Sequence, residues 1–238
     1  MKHLLDYLHV QSIAKSAMEE IRTIITEGIS EREVVIKAED ILRHYGVERF
    51  WYYNIGAFVH VGTRTIISES GRNYRPSKQT VGKNDIVTVD LSPEINAFWG
   101  DYARTFIVID GSAVDVKQLQ CQPNSITDEF EHGIHAEKQL HRMFKAYVEP
   151  EMTFEEVYLH MNKVIQQLGY VNLDFAGNLG HTIEFHKEAR IYFERGNTRK
   201  IREVDFFTFE PHIKHANGAY GFKREDIYYF QNDELKVL

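Results

Sequence analysis

The sequence predicts a mixed α/β (α+β) domain assembled from two similar halves, each a pair of helices followed by a β-rich segment. Three observations carry that expectation. Apolar residues recur at helical spacing in two separate zones of the 238 residues. Between and beyond those zones the pattern changes to short runs of β-branched and aromatic residues bounded by turn formers. The capping signals of the first helical zone then return in the second: Ser30, Glu33 and Gly46 are matched by Thr153, Glu156 and Gly169 at one constant offset. Capping boxes and terminal glycines are common, so the echo admits two readings, coincidence or a duplicated half.

Taken in order, residues 4–26 carry Leu4, Leu8, Ile13, Ala17, Ile21, Ile24 and Ile25 on one helical face, and Gly28 closes the segment. Ser30 with Glu33 forms a capping box that opens a second helix over 31–45, stopped by Gly46. Strands are expected at 50–61, 64–68, 86–91, 95–99 and 105–109, with Ser92-Pro93-Glu94 as a hairpin turn. A long helix is expected from 124 to 147. Thr153 with Glu156 opens another that ends at Gly169. Short strands follow around Thr208 and over 227–230. No stretch is rich enough in Pro, Gly or Ser to be a flexible linker.

Composition narrows the function classes. Hydrophobic residues at 43% and charged residues at 26% belong to a globular chain, not a disordered one. Net charge is −7 and the isoelectric point lies near 5.9, which argues against a nucleic-acid partner. No apolar run approaches the ~18 residues of a membrane span, and Asp6 falls too early for a secretory segment. The single Cys121 forms no internal disulfide and reads as a thiol of a reducing compartment, so a cytoplasmic location is expected.

The chemistry-bearing residues lie on the β-rich segments. Asp90 ends the apolar run Ile86-Val87-Thr88-Val89, and Asp101 follows Gly100 eleven residues later. Adjacent antiparallel strands would bring these carboxylates face to face, a costly arrangement unless a cation or a proton intervenes. Gly180-His181, Phe209-Glu210-Pro211 and Arg224-Glu225-Asp226 follow. Together they offer four carboxylates and one imidazole, a donor set suited to a pair of divalent ions such as Mn, Co, Fe or Zn. An isolated Asp or Glu is usually a solvated surface group. Asp90, Glu210 and Glu225, however, each close or follow an apolar run, where an acid needs a partner.

These segments resemble the pita-bread metallopeptidase family, which includes methionine aminopeptidase, aminopeptidase P and prolidase. The resemblance rests on DIVTVD at 85–90, WGDYARTF at 99–106, GHTIEFH at 180–186, FTFEPHI at 207–213 and KREDIYYF at 223–230. It implies a pita-bread fold of two pseudo-symmetric halves around a dinuclear metal site. It also implies an exopeptidase acting on a short peptide or a protein N-terminus, and a homodimer. Asp90 would hold one ion, His181 and Glu210 would complete the shell of the other, and Asp101 and Glu225 would bridge them. Glu210 would be the general base. The length fits one catalytic domain over 1–238 without the N-terminal domain usual in aminopeptidase P and prolidase.

Departures from the family pattern bear on substrate. A second family histidine stands seven positions beyond the metal-binding one; His186, five beyond His181, is the nearest match, so either a loop has shortened or His186 points elsewhere. A third normally precedes the first Asp, but 71–77 holds no His. His60, farther upstream, either substitutes for it or is a strand histidine satisfied by a neighbour. Thr182 and Glu184 stand where glycines are preferred. His212 and His215 either line the pocket or hold an adventitious ion, or are solvated on a short loop; 187–202 is expected as a solvated loop near the site mouth, Phe50-Trp51-Tyr52-Tyr53 as core or subunit interface, and Arg104 as a partner of a bridging carboxylate. Two rival functions remain: a family member acting as a binding or interaction protein, and a creatinase-like hydrolase of C–N bonds, a branch that lacks the full metal set.

Overall fold

The computed structural model describes residues 3–114 and 125–238; Cys121 lies outside the described residues. Helices α1 (Leu4–Ile24) and α2 (Glu31–His44) lead into strands β1 (Arg49–Phe50), β2 (Ala57–Val61), β3 (Asp85–Leu91), β4 (Pro93–Ile95), β5 (Phe98–Trp99), β6 (Tyr102–Ile109) and β7 (Ser112–Val114). Helices α3 (Ser125–Tyr147) and α4 (Phe154–Gln167) lead into β8 (Tyr170–Asn172), β9 (Phe207–Phe209), β10 (His212–His215), β11 (Gly221–Lys223), β12 (Asp226–Gln231) and β13 (Glu234–Val237). All strand pairs are antiparallel, in sheets ordered β2-β3-β6-β7, β1-β4-β5, β11-β10-β8 and β13-β12-β9.

The two helical zones are built alike. Ser30 accepts from the Glu33 N–H and Thr153 from the Glu156 N–H, and each glutamate returns a bond to the backbone N–H of its cap. Each cap residue also bridges an extended segment, Ser30 with Thr80 and Thr153 with Lys200. Gly46 and Gly169 follow the helices at φ 89° and 83°, where a side chain would be strained. Each half has its own core. Met18, Ile21, Val34 and Leu42 pack with Val59, Val87 and Val89 in the first, and Phe144, Phe154, Met161, Phe207 and Phe209 dominate the second.

Strand β3 joins the halves. Val87, Val89 and Leu91 face the first core, while Ile86 on the opposite face belongs to the second. The same alternation turns Thr88 and Asp90 toward the inter-half face, so strand periodicity carries Asp90 to the centre of the molecule.

Several local expectations shift. Residues 64–68 form no strand; Gly62–Ile66 is a 3-10 turn. The run 50–61 is broken at Tyr53 and Asn54, whose φ values of 52° and 58° reverse the chain. The hairpin turn lies at Asn96-Ala97, with φ 51° and 66°, the double positive-φ geometry that suits tight hairpins. Pro93 instead opens β4 and pairs with Phe50. Strands β7, β8, β10, β11 and β13 escape the sequence pattern because they are three or four residues long. Among the described residues no helix is long and apolar enough to cross a membrane.

Ser30→Ala and Thr153→Ala are each expected to lower stability by about 1 kcal/mol. The readout is a lower urea midpoint at unchanged slope.

Candidate metal centre

Every donor is held through its own backbone by an element other than the one that carries it. Asp90 pairs with Ala103 on β6. The chain leaves β3, forms the β4-β5 hairpin and returns through Gly100, whose N–H donates to the Pro93 carbonyl at 2.9 Å. The eleven-residue spacing is the length of that excursion. Asp101 then stands directly before β6. The Glu225 N–H donates to the Ala103 carbonyl at 3.0 Å, and the Glu210 N–H to the Leu179 carbonyl at 2.9 Å.

His181 is fixed more tightly still. Its N–H donates to Thr208 Oγ1 at 3.0 Å, and the Thr208 N–H donates to its carbonyl at 2.7 Å. Gly180 makes that approach possible: a Cβ there would lie 2.6 Å from the Thr208 carbonyl oxygen, and its φ is 136°. The imidazole Nδ1 lies 3.0 Å from the Thr182 carbonyl, which assigns the proton to Nδ1. That leaves the Nε2 lone pair facing Asp101 Oδ2 at 3.5 Å and Glu210 Oε1 at 3.7 Å. Burial lowers the pKa of His181, keeping it neutral as a ligand must be.

The carboxylates form a buried negative centre. Donor atoms of Asp101, His181 and Glu225 all lie within 4.8 Å of one another. Glu225 is fully buried, and among the described residues neither of its oxygens has a hydrogen-bond partner. Burial first, then the neighbouring acids, pushes Asp101 and Glu225 well above the usual carboxylate range; burial brings Glu210 to about 7. Lys223 lies at this centre too, with Nζ 2.5 Å from Asp90 Oδ2 and 3.3 Å from Glu210 Oε2. Burial pulls its pKa down, but Asp90, Glu210 and Glu225 outweigh that and hold it well above the ordinary range. One lysine cannot balance four carboxylates here, so Asp101, Glu210 and Glu225 are driven toward holding protons, a condition that a divalent cation would satisfy instead. The donor set therefore fits divalent metal.

A cavity of about 560 Å³ opens onto this centre, and Asp90, Asp101, His181, Glu210 and Lys223 line it. Glu225 lies beneath its floor. His60 is in the wall, buried, with Nε2 3.3 Å from Glu69 Oε1. His60 thus has the neighbour that satisfies a strand histidine, and it also lines the cavity. His186 stands outside. Trp99 Nε1 donates to the Glu184 carbonyl at 2.7 Å, and beyond that anchor His186 is exposed against Phe185.

His212 takes the pocket-lining alternative: it is on β10, not a loop, is buried, lines the cavity, and donates from Nε2 to the Thr65 carbonyl at 2.7 Å. His215 is half-buried on the same strand against Tyr170. Trp51 and Tyr52 line the cavity, and Arg190, from the segment expected near the site mouth, lies over the Trp51 ring at 4.5 Å. Thr182 is buried outside the cavity lining. Arg104 bonds the Asp226 carboxylate at 2.6 Å and the Glu225 carbonyl at 2.7 Å, so it holds the backbone of the expected bridging residue, not its carboxylate. Lys223 was legible in principle, since a residue two before Glu225 near a strand end tends to share its face.

Comparison with known proteins agrees with this geometry. The profile of Metallopeptidase family M24 matches residues 7–232. The chain is 30% identical over 204 residues to an Xaa-Pro dipeptidase of Pyrococcus furiosus, covering 83% of this chain and 49% of that protein. It is 28% identical over 151 residues to a methionine aminopeptidase of Helicobacter pylori, covering 60% of this chain and 53% of the other. The chain thus spans about half the length of these curated relatives. Among solved structures, a prolidase of Pyrococcus horikoshii superposes at TM-score 0.76 and 20% identity over 100% of this chain and 62% of its own. A methionine aminopeptidase of Thermotoga maritima superposes at 0.71 and 15% identity, over 96% and 93%. Both show a shared pita-bread fold.

Glu225→Gln removes a buried, unpartnered carboxylate. The chelator-treated variant is expected to melt at or above the unsubstituted chain, and to lose the rise in melting temperature that added Mn or Co gives the latter. Behind the site, Glu137 on α3 accepts from Thr105 at 3.0 Å, and burial raises it to about 7 from an ordinary 4.5. The folded chain therefore keeps a proton that the unfolded chain releases, so this stabilisation is complete below about pH 4.5 and is lost as pH rises through 7. Glu137→Gln is expected to remove a fall of roughly 3 kcal/mol between those limits, measured by urea unfolding across pH.

Proposed function

The chain belongs to Metallopeptidase family M24, and from that premise we propose that it is a metal-dependent exopeptidase cleaving a peptide bond near an N-terminus. The observation that carries the proposal is the buried, unpartnered Glu225 carboxylate within reach of Asp101 and His181. Asp90, Asp101, His181, Glu210 and Glu225 would hold a pair of divalent ions, with Mn, Co, Fe and Zn as candidates by donor chemistry. When bound, such ions supply Lewis acidity toward the scissile carbonyl and acidify water at neutral pH.

The chain's own residues supply the rest. Glu210, which lines the cavity beside His181 and Lys223, is placed to accept a proton from water and to return it to the leaving amine. His181, its Nδ1 proton committed to the Thr182 carbonyl, keeps Nε2 free as a donor to metal. His60 and His212 face the substrate side of the cavity as neutral imidazoles, since burial lowers both, His212 to about 4. His186, outside the cavity, takes no part in this reading. Trp51, Tyr52 and Phe58 form an apolar wall for a side chain. Arg190 has no carboxylate partner among the described residues, and its Nε is committed to the Lys187 carbonyl at 2.7 Å. It favours a short peptide whose own carboxylate reaches it. A cytoplasmic homodimer remains part of this proposal.

Metal analysis combined with hydrolysis of Met-Ala-Ser and of an Xaa-Pro dipeptide, in Mn or Co, tests the reading. Metal uptake with release of a free amino acid is expected, and Glu210→Gln should lower kcat by at least ~10²-fold. Stoichiometric metal without turnover on any N-terminus would overturn it in favour of a binding protein.

A further inference from the structure

Gln11 is a polar side chain with no exposed surface, set on an α1 face whose neighbours Tyr7, Val10, Ala14 and Met18 are buried. A buried amide is costly unless its donor and acceptor are both satisfied. Here both are spent on the backbone N–H and carbonyl of a single residue. Gln11 Nε2 donates to the Asp101 carbonyl at 2.7 Å, and the Asp101 N–H donates to Gln11 Oε1 at 3.2 Å. The side-chain amide stands in for a β-strand partner, at the one residue where the ladder cannot supply one. The β3–β6 register ends at Leu91 and Tyr102, one position short of Asp101.

A second observation points the same way. Asp101 is preceded by Gly100, and a Cβ at that position would lie 2.8 Å from Gln11 Oε1 and 3.4 Å from Pro93 Cγ. Glycine is what lets the amide reach the Asp101 peptide. The Gly100 groups are spent elsewhere, the N–H on the Pro93 carbonyl and the carbonyl on Trp51 Nε1 at 3.0 Å. All four polar backbone groups of Gly100 and Asp101 are therefore satisfied, two of them by Gln11 alone.

We propose that Gln11 is a positioning residue for the metal centre. It locks the Asp101 backbone, and with it the direction in which the carboxylate points toward His181 and Glu225. The inference rests on the metallopeptidase reading. Metal sites tolerate ligand displacements of only about 0.2 Å, and removing a group that orients a ligand typically weakens metal binding ~10–100-fold. A side chain on the first helix thus reaches the chemistry without touching metal or substrate.

The test titrates Co(II) into full-length Gln11→Met, which fills the space but makes neither hydrogen bond. Met18→Ala, a core truncation on the same helix away from the site, serves as the control for lost stability. Gln11→Met is expected to bind Co(II) ~10–100-fold more weakly and, at saturating Co(II), to show an altered visible absorption band. Met18→Ala should melt lower yet keep the parent affinity and band. Gly100→Ala, which displaces the amide from the other side, should behave as Gln11→Met does and serves if that variant folds poorly. Parent affinity and band in either folded variant would overturn the proposal. Failure of the unsubstituted chain to take up Co(II) would instead overturn the metallopeptidase reading beneath it.

Discussion

The concentration of negative charge at the junction of the two halves is the constraint to which the surrounding structure answers. Asp90, Asp101, Glu210 and Glu225 repel one another in a poorly solvated place, where such repulsion is strong. Left to themselves they would splay apart. They are held because their backbones are sewn into neighbouring elements: Asp90 into the β3–β6 ladder, Asp101 to α1, Glu225 to β6, and Glu210 to the residue that precedes Gly180-His181. The scaffold holds the repelling groups together, and a bound divalent cation would relieve that repulsion.

A second ring of charge lies behind the first and is balanced without metal. Asp226, next to Glu225, accepts from Arg104 and Arg224, and His141 lies beside it. Burial works against this carboxylate, yet the Arg104 and Arg224 guanidiniums hold its pKa below the ordinary value. His141, buried and lowered to about 3, stays neutral and bonds Tyr228 and the Arg224 carbonyl. The contrast between adjacent residues is instructive. Asp226 has its cations built in, whereas Glu225 has none in hydrogen-bond contact. An acid paired with two guanidiniums and an acid with no hydrogen-bond partner thus stand side by side in the sequence.

Much of this was legible in the sequence. The duplicated architecture could be read from Ser30, Glu33 and Gly46 against Thr153, Glu156 and Gly169, because capping is a local interaction and its residue types report it directly. Asp90, Glu210 and Glu225 stood out because acids closing apolar runs are anomalous, whereas Asp101 and His181 joined them through the family resemblance. Lys223 and Trp51 were not read as lining the cavity because their place depends on which strand ends and loops meet across the junction, which local pattern does not encode. Of the two readings left open by the five-residue spacing of His186, the structure has the second: His186 lies outside the cavity lining, beyond the Trp99 bond to the Glu184 carbonyl. The turn at Asn96-Ala97 was missed because Pro93 is the stronger turn former, although it sits here as the first residue of a strand.

Strand β3 gives one side to each core, with Val87 and Val89 in the first and Ile86 in the second, and Ile107 on β6 joins Ile86 there. This shared strand pair bears on how a ligand gets in. A jaw-like parting of the halves would strip Ile86 and Ile107 from the second core and expose apolar surface to water, so the junction behaves as a weld and not as a hinge. Traffic to the buried carboxylates must then pass through the standing mouth of the cavity, with its gating left to side chains at the rim. In that sense the enclosure works less like a clamshell than like a socket of fixed bore.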